Sequence, residues 1–375
     1  MPSYNDLRPD TDFEDRDFAR VFPHMTVAER MRCIEGLMRL KTGLNTKVPP
    51  RRTEANLLLA SWNLKEFGHT TQRLPEAYFY IAEILAAFDL IAVQEVKSTL
   101  KDLDLVMRIL GSDWRYMVND ITDGADGNSE RSAYLYNTKR VELSGLAGEI
   151  TLWDEITADS DLKQLKRAPY ITGFRSGWKQ FALVNLHLQP DRTASEARLR
   201  AEEVRLLLKA LEAKRKGLWS DNLVLVGDMN LYRSVDQPVI DAFAAAGFVE
   251  CGALDGMTTN ASGSEAYDRM FFRQNDYFRF ETDEEMREQG GVFDFFDHVY
   301  RDDDWPPYRA EMAADHTNPD KAARIPTDDA VARRYFRHPW RKNQISDHLP
   351  IWVELVIDDS GRFLSEKLSE LAAPV

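Results

Sequence analysis

Four short segments of this chain could do chemistry together: Ser61-Trp62-Asn63, Val93-Gln94-Glu95, Gly227-Asp228-Met229-Asn230 and Ser346-Asp347-His348. Each borders an apolar run (57–60, 90–93, 223–226 and 349–356) that reads as a buried strand. One strand ending in a polar turn residue is ordinary. Four ends that all carry Asp, Asn, Glu or His predict loops converging on a divalent cation. Hard oxygen donors with positions left over for water describe a Mg²⁺ or Mn²⁺ site that also accepts a substrate phosphate. Glu95 and Asp347 are the natural metal carboxylates, with Asn63 as a neutral third donor. Phosphodiester hydrolysis further needs an oriented water and donors facing the developing charge. Asp228 can orient or deprotonate the water, and Asn230 can donate to a phosphate oxygen.

Two pairs have the strand spacing of two residues, Asp228 with Asn230 and Asn185 with His187. In extended backbone both members of such a pair lie on one face. Polar groups interrupting an apolar strand need partners, because each one buried unpaired costs roughly 1–3 kcal/mol. An imidazole that is to carry charge also needs an acceptor behind it. Glu130 and Asp268 are the candidates for the two histidines, His187 and His348, and spacing alone does not say which serves which.

The elements that must position these residues alternate along the chain. Strand-like runs at 57–62, 90–94, 132–136, 222–226, 267–272 and 349–356 are interleaved with helical periods at 75–87, 100–110 and 238–246. Residues 170–175 and 179–188 read as a hairpin through Ser176-Gly177. Thr193 and Glu196 have capping-box spacing and open a long amphipathic helix closed by Gly217; Thr26 and Glu29 do the same for a helix over 26–41. A polar, Gly-rich loop runs from 119 to 129. Hairpins mixed with crossovers predict two packed sheets flanked by helices. Residues 1–55 read as a helical extension, 56–357 as one catalytic domain, and 358–375 as a tail. The stretch 273–345 reads as an acidic, aromatic insertion whose rings form a core of their own. Its histidines His298, His316 and His338 are expected to be structural or exposed.

Composition narrows the partners. The 48 Lys and Arg against 62 Asp and Glu leave a net charge of −14, which argues against strong non-specific binding to polyanions. No apolar run approaches the roughly 18 residues of a membrane span, and 1–20 has no secretory pattern. Cys33 and Cys251 make no framework, which fits a reducing, cytoplasmic setting. No obligate protein partner is evident.

Taken together, Trp62-Asn63, Gln94-Glu95, Asn185-Leu186-His187, Gly227-Asp228-Met229-Asn230, Tyr267-Asp268-Arg269 and Ser346-Asp347-His348 resemble the endonuclease/exonuclease/phosphatase superfamily, the DNase I-like fold, in its order. The resemblance implies a four-layer α/β sandwich of two packed mixed β-sheets flanked by helices. It implies Mg²⁺-dependent phosphoester cleavage with Glu95 as principal ligand, assisted by Asn63 and Asp347. Asp228 and Asn230 would serve water and phosphate. His348, held by Asp268, would contact the scissile phosphate, and His187 with Glu130 behind it would be the second histidine. Arg167 resembles a family arginine that approaches the phosphate. It stands where abasic-site enzymes usually carry tyrosine, so the resemblance leans to DNase I-like members. A nuclease acting on DNA or RNA is expected. The alternatives are an enzyme for a small phosphoester (nucleotide, inositol phosphate or lipid headgroup) and an inactive binding copy of the fold.

Overall fold

The computed structural model describes residues 2–9, 20–69, 72–121, 129–215, 221–232, 234–275 and 277–372. The Gly-rich centre of the 119–129 loop and the Gly217 helix end lie outside them. The strands in chain order are β1 (Asn56–Phe67), β2 (Leu90–Lys97), β3 (Trp114–Val118), β4 (Glu130–Asn137), β5 (Glu142–Glu149) and β6 (Tyr170–Ser176). They continue as β7 (Lys179–His187), β8 (Leu223–Asp228), β9 (Val249–Glu250), β10 (Asp268–Arg273), β11 (Gly290–Val292) and β12 (Ile351–Val356). They form two six-stranded sheets, ordered β11-β12-β1-β2-β4-β3 and β5-β6-β7-β8-β10-β9. The pairs β1/β2 and β7/β8 are parallel and the remaining neighbours antiparallel.

Side-chain alternation builds the layers. On β1, Leu57 and Leu59 face the second sheet, while Leu58, Ala60 and Trp62 face outward. The inward residues meet Phe174, Phe181, Leu183, Val224 and Val226 in the core between the sheets. The outer face of the first sheet is covered by α1 (Val27–Lys47), α2 (Pro75–Leu85) and α3 (Lys101–Leu110). A four-residue turn, α4 (Asp154–Thr157), then α5 (Ala194–Lys214) and α6 (Gln237–Ala245) cover the second. The result is the expected four-layer sandwich. The helix α1 starts with the expected capping box, whereas at α5 Thr193 accepts from the Glu196 N–H without the return bond.

The insertion departs from expectation. Phe293, Phe295, Tyr300, Tyr308, Phe336 and Trp340 are buried in the same core as α1, α2 and the outer face of β1. They do not form a separate core. The Tyr308 hydroxyl donates to Glu76 on α2 at 2.5 Å, and Phe295 packs on Trp62 with ring centroids 5.5 Å apart. Burial of these rings against existing apolar surface is worth more than packing them among the charged residues of the insertion. Four short helices follow in the insertion, α7 (Arg309–Asp315), α8 (Pro319–Arg324), α9 (Asp329–Tyr335) and α10 (Arg341–Gln344), and α11 (Ser360–Ala372) lies beyond β12. No helix among the described residues is long and apolar enough to cross a membrane.

Candidate active site

The strand ends of both sheets meet at one edge of the sandwich. Two β-bulges shape that edge. The β1/β2 register runs from Asn63↔Gln94 to Phe67↔Val96, and the β2/β4 register from Val93↔Ala133 to Val96↔Arg131. The extra residues re-aim the side chains at the bulge. Gln94 turns inward, where its amide donates to Asn185 Oδ1 at 2.7 Å, and the Asn185 amide donates to the Val93 and Ala133 carbonyls at 3.1 Å. This buried pair ties the two sheets together directly beneath the site. Glu95, at φ 60°, turns to the other side.

Asp228 is the centre of the cluster. Its Oδ2 accepts from Asn63 Nδ2 at 2.9 Å and lies 3.7 Å from Nε2 of both His187 and His348. Each imidazole has its own carboxylate behind it: Glu130 Oε2 is 3.0 Å from His187 Nδ1, and Asp268 Oδ2 is 2.8 Å from His348 Nδ1. The Asn63 amide also donates to Glu95 Oε1 at 2.8 Å, so one side chain bridges the two acidic groups. Ligand atoms of Glu95, His187 and Asp228 all lie within 4.8 Å of one another. Asp228 and Asn230 do not share a strand face, because β8 ends at Asp228 and Asn230 has φ 47°. They meet through a turn in which the Asn230 N–H donates to Asp228 Oδ1 at 3.0 Å. One amide N–H of Asn230 is engaged by the Leu188 carbonyl at 3.0 Å.

The segment carrying Asp347 and His348 is clamped from both sides. Ser346 Oγ donates to the Asn63 carbonyl at 2.6 Å, and Trp62 Nε1 donates to the His348 carbonyl at 2.9 Å. Opposite them, Leu349 N–H donates to the Thr259 carbonyl at 2.7 Å. The Asp347 carboxylate pairs with Lys65 Nζ at 3.1 Å and lies outside the Glu95–His187–Asp228 group. Arg167 reaches Glu130 Oε2 at 3.3 Å, so it stands behind His187 in a depression it shares with Glu95 and Arg131.

Charge follows this geometry. Burial pulls the His348 pKa down, but Asp268 and Asp228 outweigh it and hold the ring well above the ordinary histidine value. Burial raises Glu130, yet the hydrogen bond and charge of His187, with Arg167 and Lys97, bring it down to about 2. Burial raises Asp347 as well, and His348 and Lys65 reverse that to a net lowering.

No family model matches the chain. It is 26% identical over 317 residues to a deoxyribonuclease of Thioalkalivibrio sp. (strain K90mix), covering 81% of this chain and 72% of that protein. It is 25% identical over 255 residues to deoxyribonuclease gamma of Rattus norvegicus, covering 64% and 77%. The chain is thus similar to deoxyribonucleases along most of its length, in keeping with its resemblance to the endonuclease/exonuclease/phosphatase superfamily. Among solved structures, an endonuclease/exonuclease/phosphatase family protein from Bacteroides thetaiotaomicron aligns with TM-score 0.49 and 18% identity, over 81% of this chain and 98% of that one. The human nocturnin catalytic domain with bound sulfate anion aligns with TM-score 0.49 and 15% identity, over 80% and 94%.

Two cations at this edge went unread in the sequence, Lys65 on Asp347 and Lys97 on Glu130, each at 3.1 Å. Each lies two residues beyond a site residue, Asn63 or Glu95, and that strand period was the available signal. The residues present fit a divalent cation. Glu95, His187 and Asp228 offer clustered ligand atoms, and beside them Asn63 Oδ1 is buried with no hydrogen-bond partner.

Proposed function

We propose that the protein is a divalent-metal-dependent phosphodiesterase, with Mg²⁺ as its ion (Mn²⁺ as substitute), and that it is a nuclease hydrolysing DNA or RNA. The observation that carries this reading is the shared Asp228 oxygen, 3.7 Å from two imidazoles that are each backed by a separate carboxylate. Such an arrangement places a proton acceptor between two imidazoles, the pattern needed for water attack on a phosphodiester. Asp228 orients the water and takes its proton. His348, kept protonated by Asp268, donates to the scissile phosphate, and His187 on Glu130 donates from the other side. Asn230 uses its remaining amide N–H on the phosphate, and Arg167 adds positive charge beside it. Glu95 and Asn63 would hold the cation, with Asp347 released from Lys65 as a third donor. When bound, the cation supplies charge stabilisation on the phosphate oxygens. The similarity to two deoxyribonucleases supports a nucleic-acid substrate. We take residues 56–357 as the catalytic domain. The two free, buried cysteines fit a reducing compartment such as the cytoplasm.

The test is incubation of purified protein with supercoiled plasmid and with single-stranded oligonucleotide under Mg²⁺, Mn²⁺ or EDTA, beside Asp228→Asn. Metal-dependent cleavage lost in the variant is the expected result. A second reading, a small phosphoester as substrate, is favoured by the net charge of −14. Phosphate release from mononucleotides or inositol phosphates with no cleavage of either nucleic acid would replace the nuclease reading by this one.

A further inference from the structure

The insertion lines an open cavity of about 790 Å³ that none of the roles above uses. Its wall includes Lys321, Arg334, His316, Tyr335 and Asn343, and Gln72 forms the opposite lip. This volume lies within the roughly 300–1,000 Å³ of ligand pockets. The volume is of the size that takes a nucleotide.

Its charge is unusual for this acidic chain. Most arginines of the insertion are engaged: Arg324 with Asp328 at 2.6 Å, Arg337 and Arg341 with Asp302 at 2.8 Å, and Arg333 with Asp303. Lys321 and Arg334 have no carboxylate partner among the described residues, and both line the cavity. Two acids share the lining: Asp328 is paired with Arg324, itself part of it, and Asp315 accepts from Trp340 Nε1 at 2.8 Å. Beside the cations, His316 and Tyr335 stack with ring centroids 4.3 Å apart and planes 25° apart. Cations next to aromatic faces are how proteins hold a single strand.

The wall is also specially shaped. Phe336–Trp340 is a single π-helical turn with Pro339 inside it, anchored by buried Phe336 and Trp340, and it turns His338 and Pro339 to the cavity. Such turns are rare and recur at functional sites. The cavity is tied to the active site. Asn343 precedes Asp347 by four residues, a reach of at most about 14 Å. Gln344 Nε2 donates to the Gln72 carbonyl at 3.0 Å, fixing the two lips together. A single strand of a few nucleotides covers that reach.

We propose that this cavity is a nucleotide subsite for a single-stranded stretch of the substrate, taking a phosphate on Lys321 and Arg334 and its base against the His316–Tyr335 pair. It rests on the nuclease reading. The test compares the full chain with the Lys321→Ala/Arg334→Ala double variant in three measurements. Anisotropy of a fluorescein-labelled oligothymidylate in EDTA reads binding, kcat/KM on that oligonucleotide reads use of the strand, and kcat/KM on bis(p-nitrophenyl) phosphate reads the central site alone. The variant should bind and cleave the oligonucleotide about tenfold less well, with a salt slope lower by about 2. Its turnover of the small diester should be unchanged. An oligonucleotide affinity and kcat/KM equal to wild type overturn the subsite and leave the nuclease standing. An equal fall on both substrates overturns it as well. If the wild-type protein cleaves no phosphoester, the functional reading fails, and the binding arm then decides the subsite: tenfold weaker binding by the variant supports it, and equal binding sinks it.

Discussion

Asp268→Asn isolates the charge behind His348 while keeping the shape of the side chain. Asp268 is fully buried, its Oδ2 2.8 Å from His348 Nδ1, and Asp228 Oδ2 stands 3.7 Å from the other ring nitrogen. At an effective dielectric of about 20, unit charges at these separations attract by about 6 and about 4.5 kcal/mol. The substitution therefore removes the larger share of what holds the imidazolium. Much of that attraction offsets the cost of burying a carboxylate. The net loss is that of a hydrogen bond to a charged group, about 1.5–3 kcal/mol, or about 10- to 150-fold in rate. The sign with pH follows from the raised pKa of His348. Wild-type His348 stays protonated as pH rises past the ordinary imidazole range, whereas the variant's ring loses its proton earlier. The deficit should therefore be smallest in acid and widen towards alkaline pH. The assay is kcat/KM from about pH 5 to pH 9 on whichever phosphodiester the wild type cleaves, with circular dichroism confirming the fold. A rate within twofold of wild type, or a deficit that does not change with pH, would refute protonated His348 as the phosphate donor.

Glu95→Gln should raise the Mg²⁺ concentration for half-maximal activity by about 10- to 100-fold with little change in folding; an unchanged metal titration removes Glu95 from the ligand set. Gly227→Ala should cost roughly 2–4 kcal/mol in urea unfolding and abolish activity, because Gly227 has φ 139° and an added Cβ would sit 2.0 Å from the Leu186 carbonyl oxygen. Wild-type stability there would mean that β7 and β8 can part without harm. Asp359 is buried and paired with Lys179 and with Arg279 at 2.9 Å. Burial raises its pKa, but those partners win and lower it, so its stabilisation exists above the unfolded carboxylate value and is lost as pH falls through the folded one. Asp359→Ala should thus destabilise by about 3–5 kcal/mol at neutral pH, with the gap to wild type closing below about pH 4 in chemical-denaturation midpoints.

The sandwich was legible because both sheets are built from continuous apolar runs such as 57–60 and 223–226, whose two faces are both buried. The edges were not. The burial pattern of β5 reads half-exposed throughout, with Gly145 and Gly148 interrupting it, and β9 has only two residues. The insertion was misread because an aromatic residue reports that it will be buried, not against what. Phe295 could not reveal Trp62 as its neighbour across more than 230 positions of chain. Periodicity also gave a false reason for one correct grouping. Asp228 and Asn230 are together through a turn, and a strand rule has no power where the strand has ended.

The same limit has a physical consequence at the metal-ligand candidates. Glu66, Glu95 and Asn230 all adopt left-handed backbone, with φ of 45°, 60° and 47°. Each such residue costs on the order of 1 kcal/mol or more and persists only where its surroundings enforce it. Here the strain frees N–H groups from the sheet ladder and turns them onto the site's own acids. The Glu66 N–H donates to Glu95 Oε2 at 2.9 Å, and the Asn230 N–H donates to Asp228 Oδ1 at 3.0 Å. Asn63 Nδ2 takes the remaining oxygen of each, Glu95 Oε1 and Asp228 Oδ2. Both carboxylates therefore have both oxygens directed before any ion arrives, by backbone that is already held in place. Preorganisation of this kind removes the cost of aiming the acids at the moment of reaction, and it explains why the bulges sit at Glu95 rather than elsewhere along β2.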